Sequence, residues 1–149
     1  MLTLRLPVLV AAISIALTAW AVSILVNGSE PVSNSVPGSK RLAVVWSSGD
    51  PDVAHRVCLM YAHAAATNKW FEEVRLIVWG PSARLLAADK DLQAKVKAMM
   101  QDGVYVQACI VCADSYGVTE TLRGLGIEVK PMGRPLTDML QGDYRVLTF

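Results

Sequence analysis

The chain has little of several things that would define a function at once. Only three cysteines and two histidines occur among its 149 residues. Three cysteines are too few and too odd for a disulfide framework, and His55 and His63 do not fall at zinc-finger spacing from Cys109 and Cys112. A structural zinc would need ligands that this chain alone does not show. A surplus of one charge is also missing, because 14 Lys and Arg face 13 Asp and Glu for a formal net charge of +1. With no basic stripe, nucleic acid is not an expected partner. Neither the G-x-G-x-x-G nor the Walker pattern is present, so no nucleotide cofactor is implied. A Ser-His-Asp or paired-carboxylate constellation is absent as well.

What is abundant is apolar surface, and much of it is concentrated at the start. Leu6 to Val26, LPVLVAAISIALTAWAVSILV, contains no charged side chain. A bilayer core about 30 Å thick needs roughly 20 such residues as helix, and Trp20 near the far end suits the headgroup region. Residues 1–5 are then a short tail and residues 6–26 a transmembrane signal-anchor. The competing reading is a cleaved secretory signal, for which Ala19-Trp20-Ala21 offers a small-x-small site. Arg5 abuts the apolar run while Lys40 and Arg41 lie well beyond it, which favours a folded domain outside the cytoplasm. Residues 27–40, NGSEPVSNSVPGSK, are rich in Gly, Pro, Ser and Asn and read as a flexible tether.

From Arg41 onward, apolar strand patterns alternate with helical ones. RLAVVW at 41–46 and EVRLIVW at 73–79 are short β-branched runs, each followed by a turn, SSGDPD and GPS respectively. Between them Val53, Val57, Tyr61 and Ala64 recur at helical spacing, and residues 83–100 form a second helical stretch broken near Asp89. VYVQAC at 104–109 is a third strand, IEVKPM at 127–132 a fourth and YRVLTF at 144–149 a fifth, with PLTDML as a helical turn before the last. Short connections between continuous apolar strands imply a mostly parallel five-stranded sheet covered on both faces, a three-layer α/β sandwich over residues 41–149. Ligands and chemistry collect outside the carboxyl ends of such strands. Three loops meet there: Ser47 to Asp52, Gly80 to Ser82 and Cys109 to Asp114.

The stretch ACIVCADSYG, 108–117, carries the sharpest chemistry. Cys109 closes a strand and Cys112 opens a helix, a placement where the helix dipole and nearby cations favour the nucleophilic thiolate. Asp114 opposes that, since a close carboxylate disfavours a second negative charge. Two buried structural thiols and a thiol/disulfide redox pair are alternatives for the same residues. Ser47, Ser48, Gly49 and Asp50, with Ser82 on the neighbouring turn, offer a weaker candidate, an anion or small-ligand loop at helix N-termini; plain capped turns are the alternative. His55 and His63 stand eight apart, too far to be adjacent ligands on one helix, and Cys58 reads as core.

These segments together resemble the DsrE/DsrF-like sulfur-relay family, which is also represented by TusD-type proteins. The resemblance rests on SSGDPDVA at 47–54, IVWGPSARLL at 77–86, GVYVQACIVCADSYGV at 103–118, LGIEV at 125–129 and LTF at 147–149. It implies a flavodoxin-like sheet, a homo-oligomer (a trimer or a hexamer), and sulfur carried as a persulfide between donor and acceptor proteins. Cys109, by its distance before Gly117, matches the family's sulfur-carrying cysteine, and Cys112 matches a second cysteine found in some subgroups. Neither a metal nor a cofactor is implied. The anchor is unexpected for such a family and is tested apart from it. Membranes carrying the full chain should retain it through carbonate extraction, whereas a mature chain beginning at Val22 would show that the segment is a cleaved signal.

Overall fold

The computed structural model describes residues 40–149, so the tail at 1–5, the apolar span at 6–26 and the tether through residue 39 lie outside the described residues. Among the described residues no helix is long and apolar enough to cross a membrane. Five strands are present: β1 (Arg41–Trp46), β2 (Glu73–Val78), β3 (Tyr105–Cys109), β4 (Glu128–Lys130) and β5 (Tyr144–Thr148). Between β1 and β2, α1 (Pro51–Val53) runs through a π-helical stretch (Ala54–Cys58) into α2 (Leu59–Thr67). Then follow α3 (Pro81–Ala88), α4 (Lys90–Gln101), α5 (Ile110–Ser115), α6 (Thr119–Gly124) and α7 (Gly133–Gln141).

The sheet order is β4-β3-β2-β1-β5, and every neighbouring pair is parallel, where the pattern alone implied a mostly parallel sheet. From β1 the chain steps outward through β2 and β3 to β4, then crosses back to lay β5 on the other side of β1. With right-handed crossovers, that reversal sends the last helix to the opposite face from the others. Packing follows this rule. On one face Leu42, Val44, Trp46, Leu76 and Val78 join a core with Ala62, Leu86 and Val96 from the helices. On the other, Ala43, Val45, Ile77 and Cys109 pack with Met132 and Met139, the latter on α7. Three layers are present as expected, but the second helical layer is α7 alone.

The helix after β1 departs from the expected apolar stripe. Val57 is exposed, and the residues facing the core are Ala54, Cys58, Ala62 and Ala65, one position further along. One residue rotates a helix face by about 100°, so the sheet meets a row of small side chains rather than the larger Val53, Val57 and Tyr61. Small residues allow the helix to lie close against Leu42 and Val44. Asp50 starts this helix as its N-cap, its Oδ1 accepting from the amides of Asp52 at 2.7 Å and Val53 at 3.2 Å. The expected break near Asp89 is a second such cap, with Asp89 accepting from the amides of Asp91 and Leu92.

Since α7 covers only part of its face, the amino-terminal half of that face carries polar side chains. Arg75 pairs with Glu73, which also accepts from the Tyr144 hydroxyl at 2.6 Å, and its guanidinium lies 5.0 Å from the Tyr105 ring centroid and 5.4 Å from that of Tyr144. Glu128 accepts from the Tyr105 hydroxyl at 2.6 Å and from Gln107 Nε2 at 2.6 Å, and it pairs with Lys130 at 2.9 Å. Gln107 is fully buried, and its Oε1 has no hydrogen-bond partner. The Tyr105 hydrogen bond, then those of Lys130 and Gln107, hold the Glu128 carboxyl down to about 2 from an ordinary value of 4.5. A carboxyl held below its unfolded value stabilises the fold above that value and loses this contribution as pH falls. Thermal stability should therefore decline between pH 4.5 and about 2, and Glu128→Gln should flatten that decline. Parallel melting curves of the two proteins across this window would show that Glu128 contributes nothing.

Candidate functional site

β3 delivers Cys109 to the carboxyl edge of the sheet, where its extended backbone (φ −72°, ψ 116°) makes it the residue before α5. Cys112 follows in the first turn of that helix. Both thiols are free, and Cys112 packs against the apolar cluster that holds Cys109. Their environments differ. Cys109 is 4% exposed and sits among Ala43, Val45, Ile77, Met132 and Met139, while Cys112 packs on the rim of the same cluster and is partly open to solvent. The sequence between them leaves Val111 70% exposed.

A third group borders the site, the main-chain N–H of Gly80, which lowers the Cys112 value against the raising effects of burial and Cys109. Gly80 has φ 66° and ψ −134°, a left-handed conformation that a side chain would strain. The turn that holds it is fixed by Ser82, fully buried, whose hydroxyl donates to the Trp46 carbonyl at 2.5 Å and accepts from the Trp79 amide at 3.0 Å. Sequence reading placed Ser82 in an anion loop and overlooked the Gly80 amide. The available signal was Gly80-Pro81, since proline bars its predecessor from the helical region and glycine accepts the alternative.

Cys112 is pushed above its usual value, first by burial of its sulfur and next by its hydrogen bond with Cys109, while the Gly80 amide pulls the other way. Helix placement therefore does not make it a ready thiolate. Asp114 is not among the groups acting on it: its Oδ1 accepts from the Thr119 hydroxyl, and it lines an open depression of about 470 Å³ with Glu120 and Arg123. At Cys112 the groups that act are Cys109 and Gly80.

The main-chain donors of Ser47 and Ser48 and the Ser47 hydroxyl are already engaged. Both amides, at 2.7 and 3.1 Å, and the Ser47 hydroxyl at 2.7 Å, point to the main-chain oxygen of Phe149. The Ser48 hydroxyl accepts from the Asp50 amide at 3.1 Å, and the Asp50 carboxylate caps the helix. Gly49 has Pro81 Cβ 3.1 Å from where its own Cβ would stand, so it lets the two turns close on one another. This loop is an internal tie between β1, β5 and α3. His63 pairs with Asp102 at 2.6 Å, far from the thiols in sequence, and among the described residues no group of three or more His, Cys, Asp or Glu is placed to hold a metal. Cys58 is fully buried and pushed up to about 12 by that burial, with Lys95 pulling down.

The profile of the DsrE/DsrF-like family matches residues 40–149. The chain belongs to the DsrE/DsrF-like family. A conserved protein of unknown function from Bacteroides thetaiotaomicron is 31% identical, with a TM-score of 0.71, over 74% of this chain and 95% of its own. The ychN protein from E. coli has the same fold, with a TM-score of 0.56 at 20% identity over 73% of this chain and 99% of its own. No curated protein matches. For this DsrE-like domain the three cysteines should separate by access. Iodoacetamide at about pH 8 should modify Cys112 first and leave Cys58 intact until the protein unfolds; peptide mapping that finds native Cys58 alkylated as fast as Cys112 would refute this order.

Proposed function

We propose that this DsrE-family domain handles sulfane sulfur, accepting it from a persulfide at the Cys109–Cys112 pair and passing it on. The family is generally linked to sulfur relay. The observation that carries the reading is the placement of two free thiols in one apolar cluster at the carboxyl edge of the sheet, Cys109 sheltered and Cys112 partly open. A thiolate of the pair attacks the outer sulfur of a donor persulfide, forming a protein persulfide and releasing the donor thiolate; an acceptor thiolate later attacks the same sulfur. Such exchange depends on thiolate character, leaving group and access, and needs no acid-base triad.

The domain acts as a homo-oligomer, a trimer or a hexamer, with donor and acceptor proteins as partners. Residues 6–26 tether it to a membrane with the folded part outside the cytoplasm. The exposed Val111, between the two cysteines, is a natural contact for a donor chain. Binding of an anion at Ser47 and Ser48 is disfavoured because both main-chain donors and the Ser47 hydroxyl already have partners within the chain.

The test is consumption of a small-molecule persulfide by the reduced protein, read as free donor left after the protein is filtered away. Wild type should remove donor in proportion to chain, and a double Cys109→Ser, Cys112→Ser variant should fall to the protein-free background. A double variant as effective as wild type would show that the sulfur chemistry lies elsewhere.

A further inference from the structure

The two thiols share one apolar cluster three residues apart, yet they are unequally placed. Cys109 is 4% exposed and packs with Met132 and Met139, whereas Cys112 is partly open and is acted on by the Gly80 amide. A donor arriving from solvent meets Cys112. Once Cys112 carries an added sulfur, that terminal atom extends away from the side-chain sulfur, while Cys109 remains on the side of the side-chain sulfur itself. Nucleophilic attack from Cys109 is thus directed at the inner sulfur of the persulfide rather than the outer one.

We propose that the pair is a persulfide reductase as well as a sulfur acceptor: Cys112 takes the sulfane sulfur, and Cys109 resolves it, releasing sulfide. This rests on the sulfur-handling reading above and adds the order of events and the product. In the first step the Cys112 thiolate bonds to the outer sulfur of R–S–SH, the S–S bond of the donor breaks, and R–S⁻ leaves. In the second, the Cys109 thiolate bonds to Cys112 Sγ, the bond from Sγ to the terminal sulfur breaks, and HS⁻ leaves with that electron pair. The sum is R–S–SH plus two cysteine thiols giving R–SH, H₂S and one Cys109–Cys112 disulfide. The sulfane sulfur is reduced and the two cysteine sulfurs are oxidised. A dithiol reductant returns the pair to its starting state by ordinary exchange.

Closing the disulfide requires the two residues to approach one another. Positions three apart at a helix start have Cβ atoms about 5–6 Å apart, and a disulfide wants roughly 3.5–4.5 Å, a gap that a small adjustment of the residues at the start of α5 closes. Hydrosulfide is a weaker base than an alkyl thiolate and leaves the more readily, which favours resolution over a long-lived persulfide. Both thiols are within one turn, so resolution requires no encounter with a second protein.

The experiment gives the fully reduced, anaerobic full-length chain one equivalent of glutathione persulfide. Sulfide is measured by trapping with monobromobimane, and the protein by intact mass and peptide mapping, against a protein-free control. Wild type should release one sulfide per chain above the control and lose two hydrogens, mapped to a Cys109–Cys112 disulfide. Cys109→Ser should keep one added sulfur on Cys112 and release no sulfide above the control. Two results overturn the proposal: wild type that retains a stable added sulfur without sulfide release, which leaves a simple carrier, and Cys109→Ser that releases sulfide as well as wild type. Failure of the underlying reading is distinguishable, since then wild type neither gains sulfur nor releases sulfide. The wild-type arm decides the matter even if a variant folds poorly.

Discussion

The hydroxyl of Ser82 is the small contact from which the site is built. Buried between the ends of β1 and β2, it holds the Trp46 carbonyl on one side and the Trp79 amide on the other. That tie fixes the sharp turn at Gly80, and the turn sets the Gly80 main-chain amide where it acts on Cys112. A buried hydroxyl with both its capacities used rigidifies its surroundings, because any displacement leaves polar groups unpaired in a dry interior. The chemistry at β3 is thus set partly by a serine that never approaches it. A side-chain donor at the sulfur would sample several rotamers; a backbone amide held by the sheet does not.

The uneven layering supplies the second half of the arrangement. The π-helical stretch and α2 to α6 bury one face of the sheet, and α7 lies on the other, where Met132 and Met139 pack with Cys109. Toward the amino ends of the strands the same face turns into hydrogen-bonded carboxylates, tyrosines and arginine. The transition from apolar to polar along one face confines the dry pocket to the end where the thiols are. Burial then sorts the three cysteines into different chemical states: Cys58 inert in the main core, Cys109 sheltered, Cys112 at the boundary with water.

Much of the architecture was legible because buried parallel strands announce themselves as β-branched runs, and 41–46, 73–79 and 104–109 all became strands within a residue. Caps were equally plain, with Asp50 and Asp89 starting helices where an acid precedes a helical run. The helix after β1 was read one residue out of phase, since hydrophobicity favours Val57 and Tyr61 whereas close approach to the sheet favours Ala54, Ala62 and Ala65. At the site, Cys109 and Cys112 were found from residue type and position, but their unequal burial was not, because it depends on α7 arriving from 24 or more residues away. Asp114 is placed near the thiols by sequence, and its carboxylate accepts from Thr119 at the start of α6. The loop of Gly80 is visible in the sequence through its Gly-Pro pair, but the part its main-chain donor plays is not, since a backbone donor has no side chain to read.

The seam between Phe149 and the loop after β1 bears on how the domain can be handled. Three donors converge on the Phe149 oxygen at the carboxyl edge, the same edge that carries the thiols, while Arg41 begins β1 at the opposite edge. A six-residue strand separates the two edges by about 20 Å. An affinity handle or fluorescent fusion attached after Phe149 would pull on the Ser47–Ser48 seam and crowd the sulfur site. One attached ahead of Lys40 would leave both undisturbed.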